Sequence, residues 1–207
     1  MPDNNPSLEE LDLLVAELNV QWQVFDELFT DANNYKLFDR TGAPFWNHLW
    51  FHLLDHLFVT VSRFFDPPKS FGKENYSLAA ILEFQEVTSF RSDLEILLNA
   101  MRPIWERGIR EWRNKRVSHL DMSTILGEHR LPDVPLSEVR ELVEKITEFA
   151  RMIKRKLRGH DVAYQCALTG WVPQILQYLE LGVQKKDEKV SALNTQSLPH
   201  ENDEVAG

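Results

Sequence analysis

Apolar residues recur along most of this chain at three- and four-residue spacing, and nowhere alternate long enough to make a strand. Leu11, Leu14, Val15, Leu18, Trp22, Phe25, Leu28 and Phe29 predict a first helix over about Leu8 to Phe29, with Ser7 and Glu10 in capping-box spacing at its start. Thr30 to Gly42 is mixed and reads as a connector. Pro44 suits the first turn of a second helix, which runs to about Phe65 and is stopped by Asp66-Pro67-Pro68. A short helix over about Leu78 to Phe84 takes Ser77 or Asn75 as its cap. A third long helix runs from about Ser89 to Leu120, with a kink or break at Pro103. Met122 to Val134 reads as a loop. Val139, Leu142, Val143, Ile146, Phe149, Ile153 and Leu157 predict a fourth helix over about Ser137 to Leu157, closed by Gly159. A last helix covers about Trp171 to Leu181. The pattern predicts an all-α, single-domain bundle of four to five main helices over 1–183, followed by a disordered polar tail over 184–207.

Composition narrows the class. The chain has 207 residues, of which 43% are hydrophobic and 11% aromatic, enough for one well-filled core. The single cysteine, Cys166, excludes an internal disulfide, and no Cys/His zinc spacing occurs. A reducing, cytoplasmic location is expected, since the polar start carries no basic segment followed by an apolar one. The most apolar stretch, Phe45 to Phe65, contains Asp55, Arg63 and His48, His52 and His56, so it reads as a core helix and no membrane is expected.

The net charge of −9 argues against a general nucleic-acid coat, but the charge is uneven. Met1 to Tyr35 holds no Lys or Arg. Arg102, Arg107, Arg110, Arg113, Lys115 and Arg116 lie close together against Glu106 and Glu111. Arg151, Lys154, Arg155, Lys156 and Arg158 form a second basic run, read as a solvated helix end.

The most informative segment is Arg113-Asn114-Lys115-Arg116-Val117-Ser118-His119. An Arg followed by a polar residue, with four to six residues between the Arg and a His, resembles the signature of HEPN domains, and Arg113 and His119 have five between them. Val61-Ser62-Arg63-Phe64-Phe65-Asp66-Pro67 and Tyr76-Ser77-Leu78 are similar to the HEPN-like branch associated with the bacterial abortive-infection U system. The resemblance spans roughly Phe45 to Phe149. It implies a metal-independent ribonuclease of a phage-defence or toxin–antitoxin system, leaving a 2′,3′-cyclic phosphate. Arg113, Asn114 and His119 would be catalytic, and Arg110, Lys115 and Arg116 would bind RNA phosphates. The chemistry suits the residue types. Histidine ordinarily titrates at about 6.5, so it can give or take a proton near neutrality. A guanidinium can hold the phosphate oxygens on which charge develops. A non-catalytic interaction module, the antitoxin or regulatory half of such a pair, is the competing reading.

Helix geometry complicates that assignment. Positions six apart are roughly 120° apart around a regular helix, so Arg113 and His119 do not share a face, whereas Arg116 and Lys115 lie nearer His119. Either the helix is distorted, or two copies of the chain join their motifs across a twofold axis, as the resemblance implies. A homodimer is therefore expected, also because the second helix carries more aromatic side chains than a small bundle readily buries. RNA and a cognate toxin or antitoxin protein are the other expected partners. His48, His52 and His56 read as the polar edge of a core helix, with no metal expected. Arg63 and Asp66 read as an ion pair or cap that could help position the motif. No Walker loop, Rossmann glycines, Gly-x-Ser-x-Gly elbow or metalloprotease motif occurs, and no cofactor is expected.

Overall fold

A computed structural model describes residues 8–117, 126, 128, 130–164 and 170–196. The fold is all-α. Helix α1, Leu8–Phe29, buries the stripe Leu11, Val15, Leu18, Phe25, Leu28 and Phe29, as the periodicity requires. Glu9 and Glu10 place negative charge at its positive end; the proposed cap Ser7 lies outside the described residues. Helix α1 packs against both α2, Ala32–Arg63, and α6, Leu136–Arg158.

Helix α2 corrects the first boundary. Residues expected to form a connector are helical from Ala32, capped by Asp31, whose side chain accepts from the Asn33 N–H at 2.9 Å. Gly42, at φ 132°, then kinks the helix before Pro44. Only glycine adopts that conformation without strain. The second half therefore restarts where the proline predicts. Phe38, Trp46, Phe58 and Phe64 are buried and Trp50, Phe51 and Phe65 half-buried, so most of the aromatic load is absorbed within one chain. The aromatic argument for a second copy does not hold.

A two-residue hairpin, β1 Lys69–Ser70 and antiparallel β2 Lys73–Glu74, interrupts the helices where no strand is expected. Helix α3, Leu78–Ile81, is capped by Ser77, which accepts from the Ala80 N–H at 3.3 Å. Helix α4, Arg91–Ile104, packs on α6. Helix α6 buries Val139, Leu142, Val143, Ile146, Phe149, Ala150 and Ile153, and ends at Gly159 in the left-handed conformation expected of it (φ 71°).

Pro103 does not break its helix. Past α4 the chain continues through a π turn, Trp105–Ile109, a three-residue α segment α5, Arg110–Trp112, and a second π turn, Arg113–Val117. Proline lacks the N–H that would continue the regular ladder. Two residues later the ladder widens, and the Arg110 N–H reaches Trp105 O, five residues back.

Helix α7, Trp171–Gln196, packs on α2 and α1 and corrects the C-terminal boundary. It runs on through Gly182 and the start of the expected disordered tail. Val183 is buried, and Asp187 pairs with Arg40 of α2. Contacts with α2 thus reach at least to Asp187, while the described side chains of 184–194 are exposed. Among the described residues, no helix is long and apolar enough to cross a membrane.

Candidate functional site

The extension from Trp105 to Val117 runs antiparallel to α2, and its tryptophans fix it there. Trp105 donates from Nε1 to the buried Ser62 Oγ at 3.2 Å, and Phe65 stacks on its ring at 5.1 Å between centroids. Trp112 packs edge-on against Phe58 at 5.9 Å and donates to Pro132 O at 2.7 Å. Both indoles are satisfied at both ends, apolar ring and polar N–H. In the first π turn Gly108 is buried and faces the 132–134 segment, so closely that a Cβ there would sit 2.5 Å from Val134 Cγ2.

This scaffold presents the motif residues in pairs with carboxylates. Arg113 Nη2 lies 3.5 Å from Asp66 Oδ1, and Nη1 donates to Asn114 Oδ1 at 3.1 Å. Its side chain is 35% exposed. Among the described residues, no other contact takes the remaining N–H donors of the guanidinium. Arg116 Nε lies 3.3 Å from Asp55 Oδ1. Its guanidinium also packs over the Phe51 and Trp112 rings, at 4.9 and 5.2 Å from their centroids. Stacked between two aromatic faces and a carboxylate, Arg116 is the more tightly oriented of the two. Lys115 pairs with Glu111 at 3.3 Å. Arg110 lies 4.0 Å from Glu106, with its guanidinium 5.4 Å from the Trp105 ring centroid.

The structure therefore brings Arg113 and Asn114 together and holds Arg116 on a different carboxylate. His119 lies outside the described residues. Asp66 turns to Arg113, while Arg63 is exposed at the end of α2. Asp55 was missed as an arginine partner. Its signal is that it stands as the one acid between Pro44 and Phe65. A carboxylate in such an apolar helix needs a cation, although sequence alone cannot say which.

The second basic run is not simply a solvated face. Lys154 is 6% exposed and pairs with Asp12 of α1, which also accepts from Tyr164 Oη. Arg151, Arg155, Lys156 and Arg158 engage Asp161, Glu148, Asp93 and Glu9 respectively. This run joins α6 to its neighbours. A cavity of about 690 Å³ lies elsewhere, at the α2 kink among Phe29, Tyr35, Phe38, Trp46 and Trp50.

Comparison with protein families decides the kinship. The family model HEPN_AbiU2 (AbiU2) matches residues 7–170. The chain belongs to this HEPN family. No curated protein and no solved structure gives a match. The HEPN match covers the whole bundle from α1 through α6, including both carboxylates and the motif they hold. Within this HEPN domain, the Arg-polar pair of the motif stands on a π turn.

Proposed function

We propose that the chain is a metal-independent HEPN-type endoribonuclease of a phage-defence or toxin–antitoxin system. The observation that carries this reading is Arg113, joined to Asn114 and braced by Asp66, with N–H donors that no other described residue takes. An incoming RNA phosphate takes those donors. Arg113 then stabilises the charge that builds on the phosphate as the 2′-oxygen attacks, and Asn114 orients the phosphate or a ribose hydroxyl. His119 moves the proton between the 2′-hydroxyl and the departing 5′-oxygen. Arg110, Lys115 and Arg116 hold flanking phosphates. Two copies of the chain assemble the complete site, in a cytoplasmic homodimer.

The test is incubation of purified protein with mixed RNA in EDTA, beside a His119→Ala control. The wild type cleaves and leaves 2′,3′-cyclic phosphate ends, and the control does not. No cleavage, or identical cleavage by the control, refutes the enzyme. One observation favours a second reading, a non-catalytic module that binds a cognate toxin or antitoxin protein. Arg110, Arg113, Lys115 and Arg116 each already face a carboxylate, which lowers the pull of this surface on RNA. Co-purification with a neighbouring toxin-like protein, without RNA cleavage, is its signature.

A further inference from the structure

His48 and His52 lie one helical turn apart on α2, exposed, with Leu49, Trp50 and Phe51 between them. Their Nε2 atoms are 2.9 Å apart and their rings are nearly perpendicular, at 88°. His56 repeats the same four-residue spacing from His52, so sequence leaves two candidate pairs. In the structure the facing nitrogens belong to His48 and His52. Two imidazoles at this spacing on one helix face are the arrangement by which helices chelate a divalent transition ion.

We propose that His48 and His52 form a chelating site for a divalent first-row transition ion. The separation of the nitrogens favours ions that take ligands at right angles. Two nitrogens each about 2.1 Å from a metal stand about 3.0 Å apart at 90° and about 3.4 Å apart in a tetrahedron. The observed separation fits the first, the tetragonal geometry of Ni²⁺ or Cu²⁺, and Zn²⁺ needs the rings to spread slightly. Without metal, one imidazole donates to the other. Binding needs both rings neutral with the proton on Nδ1, so the donating ring shifts its proton from Nε2 to Nδ1, both Nε2 lone pairs take the ion, and acid releases the metal. Among the described residues, no group of three His, Cys, Asp or Glu side chains converges on one point, so water completes the coordination. Leu49 stands where a metalloprotease carries its glutamate base, so the site binds without hydrolysing. It takes no part in the RNA chemistry proposed above.

Calorimetric titration of the full chain with NiCl₂, in a weakly coordinating buffer at pH 7.5, tests the site. One Ni²⁺ binds per chain, and its affinity falls as the pH is lowered. His48→Gln and His52→Gln each weaken it at least about tenfold, a change that titration resolves cleanly. His56→Gln and His160→Gln leave it unchanged. All four substitutions are at exposed positions, and circular dichroism verifies that each variant is folded. Absence of Ni²⁺ binding, its persistence in the His48→Gln/His52→Gln double variant, or equal loss in His56→Gln overturns the proposal. Because RNA cleavage is assayed in EDTA, the two proposals fail independently.

Discussion

Replacing Gly108 with alanine sets two effects of known size against each other. In a helix interior the change ordinarily stabilises by about 1 kcal/mol, since alanine loses less backbone entropy on folding. Here the new Cβ would lie 2.5 Å from Val134 Cγ2, well inside contact distance. Valine is branched at Cβ and stiff about χ1, so the methyl cannot swing aside cheaply. At a separation this short, overpacking falls in the upper part of its usual range, about 2–3 kcal/mol. The cost wins, leaving Gly108→Ala about 1–2 kcal/mol less stable, a fall in Tm of roughly 2–8 °C for a domain of this size. Val134→Ala removes the obstructing methyl. The double variant is then more stable than the sum of the single changes allows, by about 1 kcal/mol. Thermal melts of the four proteins measure this cycle. The effect also reaches the site, because the displaced segment includes Pro132, whose carbonyl holds Trp112 beneath Arg116. A Gly108→Ala variant that melts at or above the wild type, or a cycle without coupling, refutes the argument.

Three further outcomes are expected. Arg113→Ala lowers kcat for RNA cleavage by about 10²–10³, whereas Arg116→Ala chiefly weakens binding and flattens its salt dependence; single-turnover kinetics at several salt concentrations separate them, and the reverse order would place the reaction at Arg116. Asp12→Ala strands the buried Lys154 cation and costs about 2–4 kcal/mol in urea unfolding, toward the lower end of buried pairs because Asp12 is partly solvated. Burial pushes the Tyr76 hydroxyl up to about 12 from 10.0, so the folded chain holds that proton more tightly than the unfolded one. Stability from this group is complete below pH 10 and is lost as pH rises toward 12, and Tyr76→Phe reduces the slope of Tm against pH in that window.

The elements legible in the sequence are those whose own side chains decide them. The stripes of α1 and α6 have the helical period, and Ser77 and Gly159 mark ends by local chemistry. Residues 32–41 were not legible, because Asn33, Asn34, Lys36, Asp39 and Arg40 carry no apolar period. That stretch of helix is held by Phe38 stacked on Trp46 beyond the kink and by Tyr35 donating to Phe29 O of α1. The stretch beyond residue 184 is similar, with Asp187 tied to Arg40. At the site, Arg113 and Asn114 were legible as a pair because they are neighbours. Of their carboxylates, Asp66 was one option for positioning the motif and Asp55 went unnamed as an arginine partner, since Asp66 meets Arg113 across 47 positions of chain and Asp55 meets Arg116 across 61. Only packing brings such residues together.

The π turns change what a gap in an alignment means for this helix. A π turn is an α turn holding one surplus residue. Removing one residue from Trp105–Ile109 lets the ladder close in the ordinary way, and the flanking segments Arg91–Ile104 and Arg110–Trp112 keep their orientation. In a regular helix the same deletion would rotate everything beyond it by roughly 100°. The spacing between Trp105 and Arg113, counted in residues, is therefore elastic here: a chain one residue shorter within Trp105–Ile109 can present the same side chains in the same directions. Conversely, two chains with identical spacing present them differently if only one carries the π turn.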